Sequence, residues 1–401
     1  MRRDFIDRLP FGLGRLRHMN LTLLLCVIAL MAIGVCFIYS ANSIRDSVKL
    51  QSQYIGHAKT AVAGIFVVLA MAYIDYRHIL RWSWLIYLVS LLLLVAVLLF
   101  GDTRMGATRW VFGFQPSELA KLALILVLAQ MLGRPEARQD IWEFLLALLL
   151  AAVLVALILM QPDLGTALVF GPVLLLMLFA AGTAPRVWFG TVAAGLLAVA
   201  LVVGAITLQE SPGTPAGLRR AARQATFFLG DYQRDRIVDV LYPDRDPLNR
   251  GWNRRQSQIA IGSGGLWGKG FLKGDQNLLG YLPQQVSAND FIFSVLAEET
   301  GYAGALCVLL LYAGVIFSAL QVAAASRDGP GRLLGTGVAA LFFCHVFINI
   351  AMTIGLLPVT GLPLPFISYG RTFMLTAIVA TGLLQSVAVH ARRERAQVDI
   401  Y

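Results

Sequence analysis

The chain has 401 residues, of which 58% are hydrophobic and only 14% charged, against roughly 25% charged in an ordinary globular domain. That composition, with a mean hydropathy of +0.70, excludes a water-soluble globular protein and indicates a polytopic membrane protein. The net charge of +10 does not indicate nucleic-acid binding, because the basic residues are dispersed along the chain instead of forming one patch.

A hydrocarbon layer of about 30 Å is crossed by about 20 helical residues, and the helix satisfies its own backbone. The apolar runs predict ten spans, at about 21–41, 57–76, 80–100, 117–133, 142–160, 164–182, 186–207, 301–322, 332–357 and 369–391. The expected fold class is an all-α polytopic integral membrane protein with a large extracellular loop, 208–300, between spans seven and eight. It divides into an N-terminal segment 1–20, spans one to seven over 21–207, the loop, spans eight to ten over 301–391, and a tail 392–401. Arg2, Arg3, Arg8, Arg15 and Arg17 precede the first span, and Arg392, Arg393 and Arg395 follow the last. Loops of the same parity carry Arg77, Arg81, Arg134, Arg138, Arg186, Arg327 and Arg332, so the positive-inside rule predicts cytoplasmic termini and an outward 208–300 loop. The basic N-terminus lacks a small-residue cleavage site and leads into an uncleaved first span. Cys26, Cys36, Cys307 and Cys344 fall in predicted spans and are expected to be buried free thiols.

Against this apolar background the polar residues stand out. An outward turn, Gly106-Ala-Thr-Arg-Trp110, offers Trp110 as an interfacial anchor and Arg109 as a guanidinium fork suited to phosphate. Span four opens with Gln115-Pro-Ser-Glu-Leu-Ala-Lys121. Its Glu118 and Lys121, three apart, share one helix face, either as a structural ion pair or as part of a wet internal site. Asp163, in Gln161-Pro-Asp-Leu-Gly-Thr166, is a helix cap that could also meet substrate or metal.

The most polar stretch runs from Gly251 to Thr300. Seven glycines between Gly262 and Gly280 permit positive φ and close approach of a ligand, and Asp290 then abuts the apolar Phe291-Ile-Phe293. Asp290 is either a cap on span eight or a desolvated acid. The run does not form a P-loop, since Ser263 stands where its first glycine belongs, and Trp267 spoils a dinucleotide fingerprint. His18, His57, His78, His345 and His390 all lie outside the loop, which excludes a histidine triad or zinc centre there. Finally, three prolines break the 355–370 connection, and irregular backbone at membrane depth points to a cavity.

Five ordered motifs carry a resemblance. Gln256-Ser-Gln-Ile-Ala-Ile-Gly-Ser-Gly-Gly-Leu-Trp-Gly-Lys-Gly270, Asp290-Phe-Ile-Phe-Ser-Val-Leu-Ala-Glu-Glu299, Gln115–Lys121, Gln161–Thr166 and Pro363-Leu-Pro-Phe-Ile-Ser-Tyr-Gly370 resemble the shape, elongation, division and sporulation (SEDS) family. The form of the first run is closer to its elongation branch (RodA) than to its division branch (FtsW). The resemblance implies ten spans, a bacterial inner-membrane location, and a peptidoglycan glycosyltransferase that polymerises lipid II and releases undecaprenyl pyrophosphate. It also implies a class B penicillin-binding protein as partner. By motif it puts the essential acid on Asp290 and supporting roles on Arg109, Trp110, Glu118, Lys121, Asp163, Gln256, Ser368 and Tyr369. Two positions depart from the family: Ala288-Asn289 replace a His-Thr pair, and Arg371 replaces a glycine.

Glycosyl transfer needs a base and neutralisation of the leaving pyrophosphate. The expected assignment is Asp290 as base, with Arg109, Lys121, Lys269, Arg371 or a divalent cation, Mg²⁺ or Mn²⁺, meeting the pyrophosphate. Arg371 alternatively meets membrane lipid headgroups. No nucleotide is expected. A lipid II flippase and a scaffold for the transpeptidase are the competing classes; neither half of the chain shows the internal repeat common in transporters.

Overall fold

The computed structural model describes residues 18–43, 48–104, 107–111, 113–134, 140–211, 213–227, 229–242, 251–282 and 287–398. Arg2, Arg3, Arg8, Arg15, Arg17, Gly106 and Arg138, with the side chains of Arg392, Arg393 and Arg395, lie outside the described residues. Helices and one small hairpin follow in order: α1 (Leu21–Asn42), α2 (Gln53–Tyr73), α3 (Ser83–Phe100), β1 (Asp102–Arg104), β2 (Ala107–Trp110), α4 (Pro116–Leu132), α5 (Ile141–Met160), α6 (Leu164–Ala181) and α7 (Pro185–Glu210). After these come α8 (Ala216–Ala225), α9 (Asp231–Leu241), α10 (Trp252–Ser263), α11 (Ile292–Ala325), α12 (Gly329–Thr353) and α13 (Arg371–Val398).

Among the described residues, nine helices are long and apolar enough to cross a membrane. The tenth expected span, α4, has 17 residues, 15 of them buried, and forms the centre of the bundle. Helix starts follow local chemistry. Asn20, Asp140, Asp163 and Asp328 cap α1, α5, α6 and α12 through side-chain oxygens that accept orphan N–H groups, while Pro116 and Pro185 open α4 and α7. α12 and α13 are enclosed on most sides, whereas α7 is peripheral, with Ile206 its single fully buried residue.

The 208–300 connection carries three short helices of its own, α8, α9 and α10, whose apolar residues are too sparse to read as spans. Two expectations are corrected. α11 begins at Ile292, well before the expected 301, and is broken at Gly301 (φ 67°, ψ −164°). Cys344 alone of the cysteines is fully buried; Cys36 and Cys307 lie on the outside of the bundle, because α1 and α11 pack on one side only.

The glycine run explains the break in α11. Gly301 leaves carbonyls and amides of the helix without helical partners, and the 264–270 backbone supplies them. Lys269 N–H and Gly270 N–H donate to the Glu298 and Glu299 carbonyls at 3.0 and 2.9 Å, while Tyr302 N–H and Ala303 N–H donate to the Gly265 and Leu266 carbonyls at 2.9 and 3.1 Å. A β-carbon on Gly268 would lie 2.1 Å from the Glu299 carbonyl oxygen, so the close approach that glycine permits here is to α11, not to a ligand. Gly268→Ala is therefore expected to destabilise the protein by at least twice as much as Gly280→Ala in thermal unfolding. Gly280 shares a positive φ (72°) but faces open space, so it carries only the backbone penalty of about 1–2 kcal/mol.

Candidate active site

Asp290 sits at the end of the 287–290 turn, and Phe291, not Asp290, occupies the cap position of α11, with no side-chain cap bond. The turn is held by its backbone. Three successive carbonyls are each engaged: Ala288 O accepts from Tyr369 N–H at 2.9 Å, Asn289 O from the Ser368 hydroxyl at 2.6 Å, and Asp290 O from Asn349 Nδ2 at 3.0 Å. Asn349 also donates to Leu362 O at 2.7 Å, and Ser368 Oγ accepts from Leu364 N–H at 2.8 Å. The proline-broken 355–370 segment thus serves as the bracket for the acid. Ser368 and Tyr369 act there through a hydroxyl and a main-chain amide.

The carboxylate itself makes no ion pair or hydrogen bond among the described residues. Burial pushes its pKa up to about 6, against the pull of Arg236 and then Arg109, with Asp163 adding to the rise. Gly361 (φ 74°) leaves room beside it: a β-carbon there would lie 3.4 Å from Asp290 Oδ2 and 4.0 Å from Arg109 Nη1. Arg109 is anchored on the β2 hairpin, donating to Pro162 O at 2.8 Å and pairing with Asp163 Oδ2 at 3.7 Å. Asp163 meanwhile caps α6 through Thr166 N–H at 3.2 Å and accepts from the Thr166 hydroxyl at 2.9 Å, so its cap and site positions coincide. Trp110 ends the same strand, half-buried.

Beneath this lies the intramembrane pair. Lys121 Nζ is 2.9 Å from Glu118 Oε1 and Oε2 and 2.8 Å from His345 Nε2, with all three side chains buried. An ammonium only donates, so Nε2 accepts and the ring hydrogen sits on Nδ1, facing Pro363 O at 3.3 Å. His345 therefore ties the pair to the same proline-broken segment that brackets Asp290. Phe373 packs its ring on His345, with centroids 4.4 Å apart.

The remaining sequence-singled residues are placed elsewhere. Lys269 Nζ is taken by Glu298 Oε1 at 2.7 Å and Asp275 Oδ2 at 2.9 Å, which keep its pKa raised despite the desolvation that opposes it. Gln256 is buried on α10, beside Ser257, which bonds Ser294 and Thr353. Arg371 opens α13, exposed and without a protein partner among the described residues. Sequence reading missed Arg236, His345 and Asn349. Arg236 sits in the charge-rich Asp231–Leu241 helix and looks like one more solvated cation; Asn349, an amide in an apolar span, carried a signal that could have been followed.

The FtsW/RodA/SpoVE family, described as cell cycle protein, matches residues 20–393. The chain belongs to this family. Its relatives include the peptidoglycan glycosyltransferase RodA of Treponema pallidum (34% identical, covering 91% of this chain and 96% of that one). They also include the probable peptidoglycan glycosyltransferase FtsW of Trichlorobacter lovleyi (34% identical, 96% of each chain). Among solved structures, a chain of a peptidoglycan synthase complex that coordinates polymerization and crosslinking superposes with a TM-score of 0.72 at 31% identity, over 93% of this chain and 98% of that one. In this chain the Asp290 turn is kept through the backbone carbonyls of Ala288, Asn289 and Asp290.

Two stability outcomes follow from the site. Glu118→Gln strands the Lys121 ammonium in the core and is expected to cost about 3–5 kcal/mol in denaturant unfolding, most of it regained on adding Lys121→Met. Asp290→Asn has the opposite sign. A raised carboxyl pKa penalises the folded state above about pH 6 and not below the unfolded value of 3.8. The variant should therefore be more stable than the parent by about 1–3 kcal/mol at pH 8, with no gain below pH 4.

Proposed function

We propose that this membrane protein is a peptidoglycan glycosyltransferase of the elongation branch. On this reading it polymerises lipid II into glycan strands at the outer face of the inner membrane and releases undecaprenyl pyrophosphate. The observation that carries the mechanism is an uncommitted carboxylate, Asp290, held by three consecutive backbone carbonyls and flanked by two arginines. With its pKa pushed up to about 6 by burial, Asp290 is mostly ionised at neutral pH yet basic enough to take a proton from a sugar hydroxyl as it attacks. The acceptor 4-hydroxyl loses its proton to Asp290, its oxygen bonds to the anomeric carbon of the donor, and the bond to the pyrophosphate oxygen breaks with inversion. Arg109 and Arg236 neutralise the departing pyrophosphate, a role that guanidinium forks suit. Lys121 and Lys269 have smaller parts, since carboxylates already hold both within 3 Å.

The expected Mg²⁺ or Mn²⁺ is proposed to travel with the pyrophosphate. Among the described residues no group of three or more His, Cys, Asp or Glu is placed to hold it, and Asp163 is already engaged by Thr166 and Arg109, so an ion would share in neutralising the pyrophosphate rather than sit in a resident site. The elongation branch is supported by the Leu266-Trp-Gly-Lys-Gly270 form of the glycine run. The partner is proposed to be a class B penicillin-binding protein, in keeping with the synthase complex that the chain resembles. Cytoplasmic termini and an outward Asp290 rest on the arginine distribution. The flippase reading is weaker because it gives no role to a carboxylate whose pKa is matched to proton transfer.

With purified chain, partner, labelled lipid II and Mn²⁺ or Mg²⁺, the parent is expected to make long glycan ladders and Asp290→Asn none; ladders from the variant would overturn the base assignment. At limiting lipid II, where the rate reports the substrate-free protein, polymerisation should rise with pH through an apparent pKa of about 6. Arg236→Gln removes a cation that lowers that pKa, so its acid limb should move to higher pH as well as its rate falling.

A further inference from the structure

A second basic recess, of about 370 Å³, shares no residue with the Asp290 site; it is lined by Gln209, Glu210, Arg219, Arg220, Arg223 and Arg234. Four guanidinium groups thus line the recess with one carboxylate, and a second, Asp231, meets Arg234 from outside the lining. Three of them come from α8, Ala216-Gly-Leu-Arg-Arg-Ala-Ala-Arg-Gln-Ala225, which contains no acid to balance them. Like charges three and four apart on a helix repel by about 0.2–0.5 kcal/mol per pair, so this clustering costs stability unless an anion joins it.

The protein holds part of the cluster in place and leaves part of it open. Arg219 is anchored to Ser211 O at 3.2 Å and Thr214 O at 3.4 Å, and Arg234 meets Gln209 Oε1 at 3.4 Å and Asp231 Oδ1 at 3.7 Å. Arg234 Nε is buried without a hydrogen-bond partner. Arg220 and Arg223 make no side-chain hydrogen bond or ion pair among the described residues. Two fixed forks beside two open ones match the several oxygens of a phosphate.

The surroundings specify what carries the phosphate. The recess lies where α7 leaves its apolar run. Leu201 and Leu208, seven residues apart on one face of α7, are exposed just before Gln209, and Leu218 and Phe227 are exposed on and just after α8. Exposed hydrocarbon next to an arginine cluster suits a ligand with acyl chains and an anionic head. The one carboxylate in the lining, Glu210, is already engaged, and the nearby Asp231 is paired with Arg234 at 3.7 Å, so little is left to receive the ammonium of a zwitterionic head.

We propose that this recess binds the phosphate of an anionic phospholipid, in the leaflet on the Asp290 side of the membrane. The site goes beyond the glycosyltransfer reading and does not depend on it. It bears on the catalytic acid through α9, which carries Arg234 into the recess and, two residues on and so on its opposite side, Arg236 toward Asp290. An occupant would steady α8 and α9 together and thereby fix Arg236.

The test uses the full chain in nanodiscs, without substrate. Parent and the Arg220→Gln/Arg223→Gln variant are compared in purely zwitterionic lipid and in lipid containing phosphatidylglycerol, by thermal unfolding and by native mass spectrometry of retained lipid. Equal unfolding temperatures in zwitterionic lipid establish that the variant folds; if they differ, the lipid retained by each at low temperature decides. The parent is expected to gain several degrees with phosphatidylglycerol and to retain it over the zwitterionic lipid, and the variant to lose at least half of both effects. An undiminished effect in the variant, or none in the parent, overturns the proposal. If millimolar inorganic phosphate in zwitterionic lipid reproduces the parent's gain, the site takes free phosphate and the lipid assignment falls. A polymerase that fails to polymerise would leave these outcomes unchanged.

Discussion

Peptide groups that leave a helix inside a membrane protein need partners, because the hydrocarbon offers none. This constraint organises the fold. The chain breaks helical structure twice near one face of the bundle, at Gly301 within α11 and along 355–370 between α12 and α13. Each break is satisfied by a particular polar segment. The 264–270 glycine run bonds both sides of the first, and the 287–290 turn is bonded by the second. The two breaks occupy α11 and its neighbours, so the turn that precedes α11 has little freedom to move. Asp290 is placed with precision because its carbonyls and those of its neighbours are the acceptors that the broken backbone and Asn349 require.

That arrangement separates position from chemistry. Residues 288–290 are gripped by their carbonyls, so the acid is positioned through main-chain contacts and not through the side chains of Ala288 and Asn289. The carboxylate can then remain uncommitted. If Asp290 had been fixed through a salt bridge of its own, its pKa would lie low and its oxygens would be occupied. Fixing it through the backbone leaves a desolvated acid, at a cost in stability that the many apolar contacts of α11 and α12 absorb.

Much of this was legible in the sequence. The ten apolar runs, the Glu118–Lys121 spacing, the acid against Phe291-Ile-Phe293 and the three prolines all report local physics: hydropathy, helix periodicity and backbone restriction. The short helices α8 to α10 were not legible, because they lack long apolar runs and α8 and α10 lack a side-chain cap. Nor was the purpose of the glycines, since positive φ reads the same whether a ligand or another stretch of backbone approaches. Arg236 and His345 lie 54 and 224 residues from the groups they face, Asp290 and Lys121. Nothing local marks such partners, and only the packing of α9 and α12 brings them together.

The cations of the structure divide by what surrounds them. Lys121 and Lys269 are each within 3 Å of carboxylates that neutralise them, and they brace helix starts and loops. Arg109, though paired with Asp163 at 3.7 Å, and Arg236 also act on Asp290 from a distance, holding its pKa below the value that burial alone would give. On the proposed reading, this makes the base sensitive to substrate. A bound pyrophosphate offsets both guanidinium charges, so the force that lowers the Asp290 pKa weakens when the substrate arrives. The carboxylate is then most basic with the acceptor hydroxyl before it, and it returns to its less basic resting state as the pyrophosphate leaves and the arginines recover their influence.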